Sequence, residues 1–185
     1  MVLSRGYTDV FPKREMWQEI AKELNGEFHI RLSSDNSYEM HLIEIPHENR
    51  KIEISVSDSK PLKFYMLFEL HQEFELYISW EDLVGKIMKK FGSKDVLVGS
   101  EEFDKHYLIK SNKPHAVKDL ITREIQNAFL KYNIYSLSFQ AVPKTNNAEL
   151  IAVIQRTPGN KEMILELINA FKLLTDHLKQ ERIVR

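Results

Sequence analysis

Four carboxylates and an imidazole crowd into one short stretch of the chain: Asp95, Glu101, Glu102, Asp104 and His106. Carboxyl groups held in unlike environments can divide acid and base work, and a nearby histidine can carry a proton near neutral pH. A plainer reading needs no chemistry. Ser100 to Asp104 is then a capped turn, with Phe103 plugging the core and the carboxylates in water. Phe103 has its only apolar outlet inward, between the third helix and a Val96–Val98 strand, and Asp104 can accept hydrogen bonds from nearby backbone N–H groups.

Seven histidines, His29, His41, His47, His71, His106, His115 and His177, invite a metal reading. None has the close spacing of a ligand motif such as H-E-x-x-H, and only His29 and His41 could meet across adjacent strands. Surface histidines are the simpler account. Lys86, Lys89, Lys90 and Lys94 make the one basic patch of note, flanked by Glu81, Asp82 and Asp95. Gly85-Lys86 lacks the upstream glycine of a phosphate loop, so a solvated helix face is expected there and no nucleic acid. No Gly-x-Ser-x-Gly elbow offers a nucleophile. No catalytic residue, metal or cofactor is assigned.

The aromatic residues suggest another use. Phe64, Phe68, Leu76 and Trp80, together with Tyr65, Phe74 and Tyr77, could line a cup for an apolar ligand beneath a long C-terminal helix. The same stripe would serve as the core under that helix.

Composition narrows the classes. The chain has 185 residues, 43% hydrophobic and 29% charged, with 26 Lys and Arg against 27 Asp and Glu for a net charge of −1. This length suits one domain able to bury roughly 70% of its unfolded surface. Near neutrality gives no global pull toward nucleic acid or an anionic membrane. The absence of cysteine excludes disulfides, thiol catalysis and Cys-ligated metal, and fits a reducing compartment. No apolar run approaches the ~18 residues of a membrane span, so a soluble cytoplasmic protein is expected.

The elements that would position these residues follow from periodicity. A helix is predicted from about Pro12 to Asn25, with Met16, Trp17, Ile20, Ala21 and Leu24 on one stripe and Asn25-Gly26 as a left-handed stop. The period then changes to two. Strands are predicted at Glu27–Leu32, Tyr38–Ile45 and Lys51–Val56, with turns at Ser33–Ser37 and Pro46–Asn49. Phe64, Met66, Phe68 and Leu70 share one face, as do Phe74, Leu76, Ile78 and Trp80. A hairpin across His71-Gln72-Glu73 would pair Leu70 with Phe74 and Phe68 with Leu76.

A second helix is predicted at about Glu81–Phe91, with Ser79 and Asp82 spaced as a cap. Short strands at Val96–Val98 and Tyr107–Ile109 flank the loop Gly99–Asp104. A third helix begins near Pro114 and carries Val117, Leu120, Ile121, Ile125, Ala128 and Phe129 inward. A hairpin joins Ile134–Phe139 to Glu149–Ile154 across Lys144–Asn147. The last helix begins near Thr157-Pro158, with Met163, Ile164, Leu167, Ile168, Phe171, Leu174 and Leu178 on a wide stripe.

The stretch Gly99-Ser-Glu-Glu-Phe103-Asp104-Lys-His-Tyr107-Leu-Ile109, followed by Val117 and Leu120-Ile-Thr122, resembles a bacterial family of unknown function. In that family a Phe-Asp pair leads into a strand, then a Leu-Leu-Thr helix, then a hairpin like the one ending at Ile154. The likeness spans about residues 93–154. Members carry membrane helices ahead of this module, where this chain has a helix and five strands. The resemblance implies a fold module and no mechanism.

Strands and helices mixed without regular βαβ alternation point to an α+β fold, a single domain over 1–185 with an antiparallel sheet and helices packed on one face. Sub-modules at 12–92 and 93–185 are a further option. The expected function is a non-catalytic protein-interaction or scaffold module that binds a protein partner or itself, without nucleic acid or membrane. A small apolar-ligand carrier using the cup is the alternative.

Overall fold

The computed structural model describes residues 13–32, 38–80 and 95–185. Pro12, the Ser33–Ser37 turn, the second helix with Asp82 of its cap, and the lysines at 86, 89, 90 and 94 lie outside the described residues.

The first helix, α1 (Arg14–Glu23), buries Trp17, Ile20 and Ala21. It ends as its sequence dictates. Asn25 takes the left-handed conformation at φ 53°, while Gly26 N–H reaches back to the Ala21 carbonyl at 2.7 Å. Gly26 has a separate reason to be glycine, because a Cβ there would collide with the Glu44 carbonyl.

Eight strands follow: β1 (Glu27–Leu32), β2 (Glu39–His47), β3 (Arg50–Ser57), β4 (Lys60–Glu69), β5 (Leu76–Trp80), β6 (Tyr107–Ser111), β7 (Ile134–Ala141) and β8 (Asn147–Ile154). They form one sheet in the order β1-β2-β3-β4-β8-β7-β5-β6, antiparallel throughout. Cross-strand pairs keep one face apolar. Ile43 lies opposite Ile54, Ile54 opposite Phe64, Phe64 opposite Ala152, and Ala152 opposite Leu137. The remaining described helices are α2 (Glu101–His106), α3 (Pro114–Leu120), α4 (Arg123–Tyr132) and the long α5 (Lys161–Gln180). They pack on that apolar face, with Phe171 of α5 against Phe64 at 5.4 Å between ring centres and Phe103 of α2 stacked on Tyr107 at 4.7 Å. This is the α+β architecture that the mixed periodicity implies. Strands from both halves of the sequence share the sheet, with β5 seated between β7 and β6.

The hairpin expected between residues 64 and 80 does not form. β4 pairs with β3 and β8, and β5 pairs with β7 and β6, so two strands from the end of the chain separate them. Both apolar rows still face the core, because parity fixes a strand's face but leaves its neighbour open. Phe74 lies before β5 and is buried against Phe139 at 5.7 Å. With no glycine between Leu70 and Phe74, nothing local favoured a tight turn.

Four boundaries also move. Residues Val96–Val98 form no strand; Val96 N–H makes a single bond to the Ile109 carbonyl at 3.0 Å. The third helix breaks at Ile121-Thr122 into α3 and α4. The buried Gln126 side chain donates to the freed Ile121 carbonyl at 2.8 Å, and Thr122 takes the extended conformation of an N-cap. The last helix starts later than Thr157, at Asn160, whose side chain accepts from Met163 N–H at 2.9 Å. The predicted Pro46–Asn49 turn tightens to Glu48-Asn49, because Pro46 and His47 still pair with Lys51 and Arg50 in the β2–β3 ladder.

Leu167 of α5 is 3% exposed in the core under the sheet. Leu167→Ala is expected to destabilise by about 2–5 kcal/mol, read as a lower urea midpoint with an unchanged slope. A loss under ~0.5 kcal/mol would mean that α5 does not bear on the sheet.

Candidate functional site

The four residues of the expected aromatic cup are spread along the core. Phe64 lines an apolar cavity of about 20 Å³ beneath α4 and α5, together with Leu137, Ala152, Ile125, Leu167 and Phe171. That volume holds roughly one water molecule. Phe68 packs instead on Phe139, with the Arg50 guanidinium 5.4 Å from its ring centre. Leu76 is fully buried in β5. Trp80, partly exposed at the end of β5, stands edge-on to Tyr135 at 5.4 Å. It borders an open cleft of about 430 Å³ whose walls include Glu102, Lys105, His106 and Tyr107. So Phe64 is at the cavity, while Trp80 and His106 meet at a surface cleft.

The acidic stretch separates into individual structural contacts. Asp95 pairs with the buried Lys110 ammonium at 2.6 Å. Both Asp104 oxygens accept backbone N–H bonds, from Val98 at 2.9 Å and Gly99 at 3.0 Å. Asp104 therefore ties the incoming chain to α2. His106 Nδ1 lies 2.7 Å from the Glu102 carbonyl. Ser100 caps α2 through Phe103 N–H, and Glu101 stands exposed in its first turn. Phe103 is fully buried between Tyr107 and Phe129, and the Tyr107 hydroxyl donates to the Phe129 carbonyl at 2.9 Å.

His29 and His41 do not meet. His29 lies opposite Leu42 and His41 opposite Ile30, a one-residue offset that sends the two rings to opposite faces. His41 is 0% exposed, which corrects the expectation of a surface histidine. Among the described residues, no group of three His, Asp or Glu side chains could hold a metal ion.

The buried histidine belongs to a network that sequence reasoning missed. Arg14 of α1 donates to both Glu39 oxygens, at 2.6 and 2.8 Å. His41 Nε2 lies 3.3 Å from Glu39 Oε2, and Phe28 meets the His41 ring edge-on at 5.2 Å. The Arg14 guanidinium holds the Glu39 carboxyl below the usual carboxylate range. Burial pushes the His41 imidazole down, against the opposing pull of Glu39. The neutral ring thus donates from Nε2, which leaves Nδ1 as an acceptor without a hydrogen-bond partner among the described residues. Trp17 Nε1 is likewise buried without one. The signal was present in the alternation, since His41, Ile43 and Ile45 share inward parity.

Two outcomes follow from this chemistry. A histidine whose folded pKa is depressed binds its proton more readily in the unfolded chain, so its contribution is complete above pH 6.5 and is lost as the pH falls below that value. Melting temperature should decline from pH 7.5 to pH 5, and His41→Leu should flatten that slope; an unchanged slope would remove His41 as its source. Phe103→Ala should destabilise by about 3–5 kcal/mol. Asp104→Asn, which keeps one acceptor oxygen of two, should lose about 1–2 kcal/mol. Equal and negligible shifts in thermal melts would contradict both structural roles.

No protein-family model and no curated protein matches the chain. Among solved structures it is similar to the crystal structure of the mycobacterial trehalose monomycolate transport factor A, TtfA. The likeness covers 92% of this chain and 95% of that one, at a TM-score of 0.56 and 10% sequence identity. At that identity the likeness shows a shared fold.

Proposed function

We propose that this chain is a non-catalytic binding module that recruits a protein through the open β1 edge of its sheet. One observation carries the reading. β1 has a sheet neighbour on one side only among the described residues, and five of its six residues are exposed, including Ile30 at 39% and Leu32 at 58%. An edge strand with free backbone groups and bare apolar side chains is a template for another strand. The reading places the protein in the cytoplasm, whose reducing conditions suit a chain without cysteine. Among the described residues, no helix is long and apolar enough to cross a membrane.

A carrier of a small apolar ligand is the second reading. The apolar cavity between Phe64 and Phe171 favours it, and so does the fold shared with a protein described as a transport factor. At about 20 Å³ the cavity would have to open by lifting α5 before an acyl chain could enter.

The two readings separate in one preparation. A photocrosslinking residue at Leu32 should capture a protein chain, while solvent extraction of the native protein should release no stoichiometric apolar compound by mass spectrometry. Release of such a compound, with no crosslink from position 32, would overturn the module reading in favour of the carrier.

A further inference from the structure

We infer that the occupant of the β1 edge is a second copy of this chain, paired antiparallel to the first across a two-fold axis at His29. The inference rests on the binding-module reading and specifies its partner.

The two ends of the sheet differ. β6 is flanked by residues 95–98, and Val96 N–H bonds to the Ile109 carbonyl at 3.0 Å, so a chain segment already borders that edge. β1 has no such cover among the described residues. Its interior carries no proline, glycine or bulge, the usual devices that spoil an edge. Charge is the remaining device, and here the charges are arranged to match their own copy.

Glu27, His29 and Arg31 point to one face, and Phe28, Ile30 and Leu32 to the other. Two β1 strands can pair antiparallel with like faces together only when the two-fold falls on a residue. Centred on His29, Glu27 of each copy stands opposite Arg31 of the other, so two ion pairs form at once. Phe28 then meets Ile30 on the apolar face, twice, and Leu32 falls opposite Gly26, which has no side chain to obstruct it. Centred on Ile30 instead, His29 would face Arg31 and Glu27 would lose its opposite charge. The first register is therefore preferred. Arg31 makes no ion pair among the described residues, and Glu27 contacts the half-exposed His29 at 3.2 Å, so neither charge must leave a buried partner.

Pairing of this kind is isologous and closes at two copies, because each β1 has, among the described residues, one edge without a strand neighbour. It would extend the sheet to sixteen strands with the helices of both copies on one face. A six-residue ladder buries less surface than the roughly 1,200–2,000 Å² of a standard stable interface. The dimer should accordingly be weak, with dissociation in the micromolar range or above.

The test is sedimentation equilibrium of the full chain from about 1 to 500 μM, with Arg31→Glu, Glu27→Arg and the double variant. Wild type is expected to dimerise with rising concentration. Each single variant should weaken dimerisation by about tenfold or more, since two attractive cross-strand pairs become repulsive, and the double variant should restore it. Circular dichroism and melting establish that each variant is folded. Wild type monomeric throughout, single variants that dimerise as well as wild type, or a double variant without recovery would each overturn the inference. If the wild type is monomeric while the crosslinker at Leu32 captures a different protein, only the second copy is excluded and the binding module stands. If it captures nothing, both readings fall.

Discussion

Phe64 and Phe68 project from β4 directly beside Ala152 and Ala148 of β8, and this pairing of large with small side chains organises the rest of the molecule. A bulky residue opposite each phenylalanine would fill the space that the rings and α5 now share. With alanine there, Phe171 can reach the Phe64 ring and Phe139 can reach Phe68. The β4–β8 ladder runs from Leu62–Ile154 to Glu69–Asn147 and joins residues 78 to 92 positions apart in sequence. The chain end reinforces it: Ile183 and Val184 are buried, and Arg185 N–H bonds to the Glu69 carbonyl at 3.0 Å. Long-range pairing of this type binds the halves into one sheet, at the expense of slow loop closure during folding.

Much of this was readable from residue order. Inward parity along Ile52–Val56 and Phe64–Phe68 identified strands and their buried faces, Glu149–Ile154 stood out as one arm of a hairpin, and the stripe from Met163 to Leu178 identified the covering helix. Strand partnership was readable for the β7–β8 hairpin across Lys144–Asn147, and not for β4 and β5. Phe64 and Phe68 demand an apolar neighbour, and β5 and β8 both satisfy that demand by pattern. The alanines at 148 and 152 carried the distinction, but small residues give little signal in a hydrophobic period. The break between α3 and α4 was equally quiet. Ile121 continues the apolar stripe, so periodicity alone spans a kink that depends on the reach of Gln126.

Polar groups show the same division. Asp104 announced itself as a local acceptor, since its partners, Val98 and Gly99, are close in sequence. The Arg14–Glu39–His41 network joins α1 to β2 across 25 residues, and no local pattern links them. Its effect is positional. It ties α1 to β2, on the face where Trp17 and Ile20 are buried. Of the four residues expected to line a cup, Phe64, Phe68 and Leu76 lie in the core, and Phe64 alone of the four borders the cavity.

The sheet is closed firmly at its middle and, among the described residues, open at β1. Hydrogen exchange of the full chain, resolved by residue at low protein concentration, measures that gradient directly. Amides of β4 and β8 should exchange together and slowest, through global unfolding, while β1 amides exchange fastest of all the strands. Independent exchange of β4 and β8, or a dilute β1 as protected as β4, would contradict it.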